Sequence, residues 1–175
     1  MKEKFIHAYM DVAKRFAKLS SARRLQVGAI IVKDDRIISQ SWNGTPAGWD
    51  NNCEDVEWCS AGGWLSPDEI YEGWPYEGEY LDGQGNVMQG RYRLVTKPEV
   101  LHAEMNALGK LAKSNDSGKD ASLFLTHAPC MECAKSIYQA GIKEVYYDTM
   151  YRSLDGVDFL TKCGVTVTKV EVDTP

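Results

Sequence analysis

The chain has 175 residues, 43% hydrophobic and 26% charged, enough for one domain with a buried core and too short for two full domains. Its formal net charge of -5 argues against the broad basic face that holds polymeric nucleic acid, while a few local cations would still suffice for a single nucleotide. No apolar run approaches the roughly 20 residues of a membrane-spanning helix, and five cysteines in a chain of this size favour metal ligation or free thiols over a disulfide framework.

Met1-Lys2-Glu3-Lys4 leads into an amphipathic pattern instead of a signal-peptide core, so a cytoplasmic protein is expected. Phe5, Ile6, Tyr9, Met10, Ala13, Phe16 and Leu19 recur at three- and four-residue steps, which predicts a helix over residues 4–19. A β-branched run at 26–32, a turn at Asp34-Asp35 and a second run at 36–42 predict a hairpin of buried strands. Asn43-Gly44-Thr45-Pro46-Ala47-Gly48 is loop chemistry, with exposed backbone amides.

The interval at about 50–98 reads as an insertion into a single domain spanning 1–175, with little clean periodicity. Within it, residues 79–81 and 89–95 flank Asp82-Gly83-Gln84-Gly85-Asn86 and predict a small hairpin. Trp49, Trp58, Trp64 and Trp74 point to burial of this segment against the body or another subunit. Beyond it the pattern predicts a helix over 102–113, a strand over 122–126, a helix over 130–140, a strand over 144–148, a helix over 155–162 and a strand over 165–170. Strands alternating with helices imply a layered α/β sandwich, and this order places two chemically loaded stretches where helices begin.

Those stretches are His102-Ala103-Glu104 and Pro129-Cys130-Met131-Glu132-Cys133. A catalytic zinc takes three nitrogen or sulfur ligands from the protein and keeps its fourth position for water, and His102, Cys130 and Cys133 meet that count. Cys130 and Cys133 are three apart and share a helix face, at a helix start whose dipole favours thiolate. Glu104, a hard carboxylate beside a ligating histidine, is better suited to move protons than to bind the metal.

Each piece alone has a bland reading. The Cys-x-x-Cys could be a structural zinc half-site or a redox pair, and a His or Glu in a first helical turn is ordinarily a cap or a response to the dipole. A structural site would want a fourth protein ligand, and His127, Cys53, Cys59 and Cys163 stand in no familiar pairing with the motif; a redox pair would not need His102. A second metal at Cys53 and Cys59 lacks a partner histidine, and Cys163 reads as a buried thiol on the last helix.

The combination His-x-Glu with Pro-Cys-x-x-Cys is the signature of zinc-dependent nucleobase deaminases. The sequence resembles the deoxycytidylate branch of the cytidine/deoxycytidylate deaminase family over most of its length. Besides the two zinc stretches, the likeness includes Val27-Gly28-Ala29-Ile30-Ile31-Val32, Trp42-Asn43-Gly44-Thr45-Pro46-Ala47-Gly48 and Gln139-Ala140-Gly141-Ile142-Lys143-Glu144-Val145. The resemblance implies a three-layer α/β/α sandwich with a mixed central sheet, and zinc-dependent hydrolysis of dCMP to dUMP and ammonia, supplying thymidylate synthesis. It implies zinc on His102, Cys130 and Cys133, Glu104 as proton shuttle, the phosphate on Arg24 and Tyr151, the deoxyribose on Asn43, and the base edge against backbone near Ala103.

It further implies a homohexamer activated by dCTP and inhibited by dTTP, each with Mg2+. The regulatory contacts would fall on Val27, Gly28, Asn43, Gly44, Thr45, Pro46 and Gly48. Many microbial relatives carry further cysteine and histidine before the His-x-Glu helix for a structural zinc, whereas here Thr96-Lys97-Pro98-Glu99-Val100-Leu101 has neither. The competing readings are a deaminase of dCTP, cytidine or another base, and a noncatalytic zinc-containing nucleotide sensor; a sensor has no use for Glu104.

Overall fold

The structure is a computed structural model that describes residues 1–58 and 76–171. Five strands form the main sheet: β1 (Gly28–Lys33), β2 (Arg36–Trp42), β6 (Ser122–His127), β7 (Glu144–Thr149) and β8 (Thr166–Lys169), in the order β2-β1-β6-β7-β8. β1 runs antiparallel to β2 and to β6, and β6, β7 and β8 are parallel, so the sheet is mixed as expected.

The alternation of side chains along these strands separates two cores. Ile30, Val32, Phe124 and Tyr146 face α1 (Glu3–Ala17) and pack on its Met10 and Ala13. Phe124 and Tyr146 are register partners with stacked rings 4.8 Å apart. The alternate residues Ala29, Ile31, Leu123, Leu125, Val145 and Tyr147 face the other way. There they meet Ala103, Ala107 and Leu111 of α2 (Ala103–Leu111), Ala134 and Ile137 of α3 (Met131–Gln139), and Leu160 of α4 (Asp155–Lys162). One helix on one face and three on the other make a three-layer α/β/α sandwich.

Two glycines permit the closest approaches. A Cβ on Gly28 would lie 2.1 Å from the Ala13 carbonyl oxygen, so α1 seats directly on β1 only because this residue has no side chain. A Cβ on Gly156 would lie 2.2 Å from the Pro129 carbonyl oxygen, so α4 can pack against the start of α3.

The insertion forms its own sheet, β3 (Glu54–Trp58), β4 (Tyr76–Leu81) and β5 (Val87–Thr96), in the order β3-β5-β4 and antiparallel throughout. The expected hairpin is β4-β5, longer at both ends than the pattern predicted. β3 was not legible, because Glu54, Asp55 and Glu57 hide a strand whose partner lies far along the chain. Trp58 packs on Tyr80 and Tyr92 of its own sheet, and Trp49 is 58% exposed, so of the two expected burials, against the body or another subunit, neither residue makes the one against the body. Trp64, Trp74 and Cys59 lie outside the described residues. Among the described residues no helix is long and apolar enough to cross a membrane.

Candidate active site

His102 and Cys130 occupy the N-cap positions of α2 and α3, whose first turns begin one residue later than the sequence predicts, with extended backbone at both. Neither side chain caps its own helix, so both are available to face one another. Cys133 sits one turn into α3 and Glu104 in the first turn of α2. Two helix N-termini therefore converge, and the anionic groups they favour are the ones present.

The placement of α2 comes from β2. Ser41 and Ser39, buried on β2, donate their hydroxyls to the carbonyls of Ala103 and Ala107 at 2.6 and 2.8 Å, and Asn106 Nδ2 donates to the Trp42 carbonyl at 3.0 Å. These bonds fix the first turn of α2 against the sheet edge. The start of α3 is held by the Ala128 amide, which donates to the Thr149 carbonyl at 2.9 Å, and by the close seat of Gly156.

His102 Nδ1 lies 3.6 Å from Cys130 Sγ and 3.4 Å from Cys133 Sγ, and all three ligand atoms fall within 4.8 Å of one another. Zinc bonds of about 2.3 Å to sulfur and about 2.0–2.1 Å to nitrogen, at tetrahedral angles, would set sulfur and nitrogen about 3.6 Å apart. The donor set and its spacing therefore fit a tetrahedral zinc with one position left open. Among the described residues this is the only cluster of three such donors. Cys53, expected at most as a second metal ligand, is instead buried with Ala22 and Val100, its sulfur 3.4 Å from Ser21 Oγ.

The electrostatics of the cluster point the same way. The Cys130 thiol is held down to about 3 by hydrogen bonds from Cys133 and His102. The Cys133 thiol is pushed far up by sharing that bond with Cys130 and by burial. The lowered pKa of the Cys130 thiol favours thiolate, the form in which cysteine binds a divalent cation. His102 is shifted upward by its hydrogen bond with Cys130.

Glu104 is 5% exposed, and burial pushes its carboxyl above the ordinary range, only partly opposed by its own backbone amide and the neighbouring His102. A carboxyl poised to hold a proton beside an open metal position is what general acid–base work at neutral pH requires.

The cluster lies in a cavity of about 620 Å³, of the size that takes a small ligand. His102, Glu104 and Cys130 line it together with Arg24, Asn43, Ala103 and Tyr151, so every substrate contact expected from the sequence reaches the same space. Ala103 is buried with its carbonyl already accepting from Ser41, and its N–H, at the first helical position, has no intrahelical partner. The Asn43 amide bridges the loop before β1, donating to the Leu25 carbonyl and accepting the Val27 N–H, both at 2.8 Å.

Of the expected regulatory contacts, Val27 and Asn43 line the cavity. Gly28 is buried beneath α1, and Gly44, Thr45, Pro46 and Gly48 lie at loop positions that do not line the cavity, Gly44 bridging to Leu101. Among the lining residues that the sequence did not assign to the site are Glu54, Thr96, His127 and Arg152. Adjacency to the motif strand could have flagged His127, and its place next to Tyr151 could have flagged Arg152. No local signal marks Glu54 or Thr96. The His127 ring is half-buried, and burial lowers its pKa; its Nδ1 lies 3.2 Å from Thr126 Oγ1.

A model of the cytidine and deoxycytidylate deaminase zinc-binding region matches residues 3–149. The crystal structure of dCMP deaminase from the cyanophage S-TIM5, in complex with dCMP and dUMP, superimposes with a TM-score of 0.71 at 39% identity, covering 97% of this chain and 99% of that one. The deoxycytidylate deaminase of Enterobacteria phage T4 is 31% identical over 92% of this chain and 87% of its own. ComE operon protein 2 of Bacillus subtilis is 32% identical over 94% of this chain and 70% of its own.

Proposed function

The chain belongs to the cytidine and deoxycytidylate deaminase zinc-binding family, and from that premise we propose that it hydrolyses dCMP to dUMP and ammonia. The observation that carries the proposal is the buried carboxyl of Glu104 beside the His102, Cys130 and Cys133 cluster, inside a cavity that also holds Arg24 and Tyr151.

His102, Cys130 and Cys133 would hold the zinc, which would lower the pKa of a bound water to near neutrality and so supply an activated water. Glu104 takes a proton from the attacking water and gives it to ring N3 as oxygen bonds to C4. It then takes the remaining proton from the hydroxyl now on C4 and delivers it to the exocyclic amine; the C4–N4 bond breaks as the C4 carbonyl forms, and ammonia leaves with uracil formed. The Ala103 backbone meets the base edge and Asn43 the deoxyribose. Arg24 and Tyr151 hold the 5′-phosphate, where a guanidinium offers charge-assisted bonds. The dUMP released would supply thymidylate synthesis.

The proposal extends to control: a homohexamer activated by dCTP and inhibited by dTTP, each with Mg2+, with Val27 and Asn43 the expected regulatory contacts that line the cavity. The family resemblance supports this part of the reading. The test is turnover by zinc-quantified protein of dCMP against dCTP and cytidine, with and without each triphosphate plus magnesium, alongside the mass of the assembly in solution. Preferential conversion of dCMP, with one ammonia per dUMP, is expected, rising with dCTP and falling with dTTP. No conversion of dCMP at about one zinc per chain would overturn the proposed reaction.

A further inference from the structure

Glu54 is 2% exposed, a carboxylate at the body-side end of the inserted sheet that the proposed chemistry does not use. Burying a carboxylate is costly unless its oxygens are hydrogen-bonded, so its partners say what it is for. It accepts the Arg23 backbone N–H at 3.0 and 3.2 Å and the Arg24 backbone N–H at 3.1 Å. Arg23 Nε stands 3.6 Å from it, and Arg23 Nη2 donates to the Glu54 carbonyl at 3.3 Å. The Arg23 side chain is turned half into solvent, whereas Arg24 lines the cavity.

Arg24 is held at its other end as well. Its Nη1 lies 3.4 Å from Thr96 Oγ1, and Thr96 is the register partner of Glu54 across β3 and β5. One cross-strand pair of the insertion therefore references both the backbone and the guanidinium of Arg24. On the following side the Asn43 amide ties down Leu25 and Val27, so the loop carrying Arg24 is bracketed before and after that residue.

We propose that Glu54, with Thr96, is a positioning residue that aims Arg24 at the 5′-phosphate of the ligand and so sets the preference for nucleotide over nucleoside. This rests on the dCMP reading above. The inserted sheet is then part of substrate selection through these two residues, although its own aromatic and charged faces make no contribution to the cavity lining.

The test is calorimetric binding of dUMP and deoxyuridine, which do not react, to zinc-loaded wild type and to Glu54→Gln, Glu54→Asp and Thr96→Val. Glutamine keeps the volume of Glu54, removes its charge and sets an N–H donor where Oε2 faces the Arg23 N–H and Nε. The expected result is a loss of about tenfold in dUMP affinity with far less change for deoxyuridine. Thr96→Val should lose about threefold in the same sense, and Glu54→Asp should recover part of the Glu54→Gln loss. A purely structural Glu54 would lower the melting temperature and leave the dUMP-to-deoxyuridine ratio unchanged, which overturns the proposal. Should Glu54→Gln fail to fold, the ratio in Thr96→Val decides. Wild type that binds neither ligand would refute the dCMP reading itself; wild type that prefers dUMP, with variants that prefer it equally, refutes only the role given to Glu54.

Discussion

In the five-stranded sheet, β1 and β6 are buried along nearly their whole length, and Phe124 and Leu125 on adjacent positions have 0% exposure on opposite faces. In the inserted sheet, by contrast, β4 alternates between exposed and half-buried positions. Leu81 and Val87 pair across the strands at 67% and 63% exposure. One face of the insertion is a ladder of charged and amide side chains, Arg93 to Glu57, Arg91 to Glu77 and Gln89 to Glu79. The other face is a cluster of rings, Trp58, Tyr76, Tyr80 and Tyr92. The body is held by burial between layers and the insertion by side-chain contacts within its own sheet. The His102, Cys130 and Cys133 cluster is accordingly built where the backbone is most tightly determined, and the insertion lines its cavity through Glu54 and Thr96 alone among its described strand residues.

That contrast breaks if the two regions respond alike to truncation. Phe124→Ala should cost about 3–5 kcal/mol in denaturant unfolding, because a fully buried ring between α1 and the sheet leaves a cavity that α1 cannot close. Trp58→Ala should cost about 1–3 kcal/mol, since it removes two ring contacts from a half-exposed face. It should leave dCMP turnover within about twofold, since Trp58 does not line the cavity. Arg91→Ala, in an ion pair whose side chains are 62% and 68% exposed, should change stability by less than about 1 kcal/mol. A loss at Trp58 as large as that at Phe124 would mean that the insertion is integral to the core.

The same contrast explains what could be read from the sequence. The α1 face was legible because Met10 and Ala13 are buried at helical spacing against a flat sheet. β1 and β6 were legible as apolar runs because both their faces are covered. The convergence of His102, Cys130 and Cys133, with Glu104 beside them, was legible because the proposed ligation and proton transfer would demand such residue types at short spacing along two helix starts. β3 was not, since its pairing with β5 is non-local and its side chains are mostly solvated. Glu54 stayed hidden for a sharper reason: in Asn51-Asn52-Cys53-Glu54-Asp55 it reads as a surface acid, and only the fold shows that two backbone amides from a loop some 30 positions earlier close over it. Asn43 was expected only at a ligand, and the structure adds a second use of its amide, in stapling that loop.

The central claim is that Glu104 moves protons at a metal site that His102, Cys130 and Cys133 hold without it. It is tested most directly by measuring zinc content and ammonia release from dCMP on the same preparations of wild type and Glu104→Gln. The account predicts about one zinc per chain in both proteins and a fall of about 10²–10⁴-fold in ammonia release for the variant. Zinc lost in step with activity, or turnover kept in the variant, would contradict it.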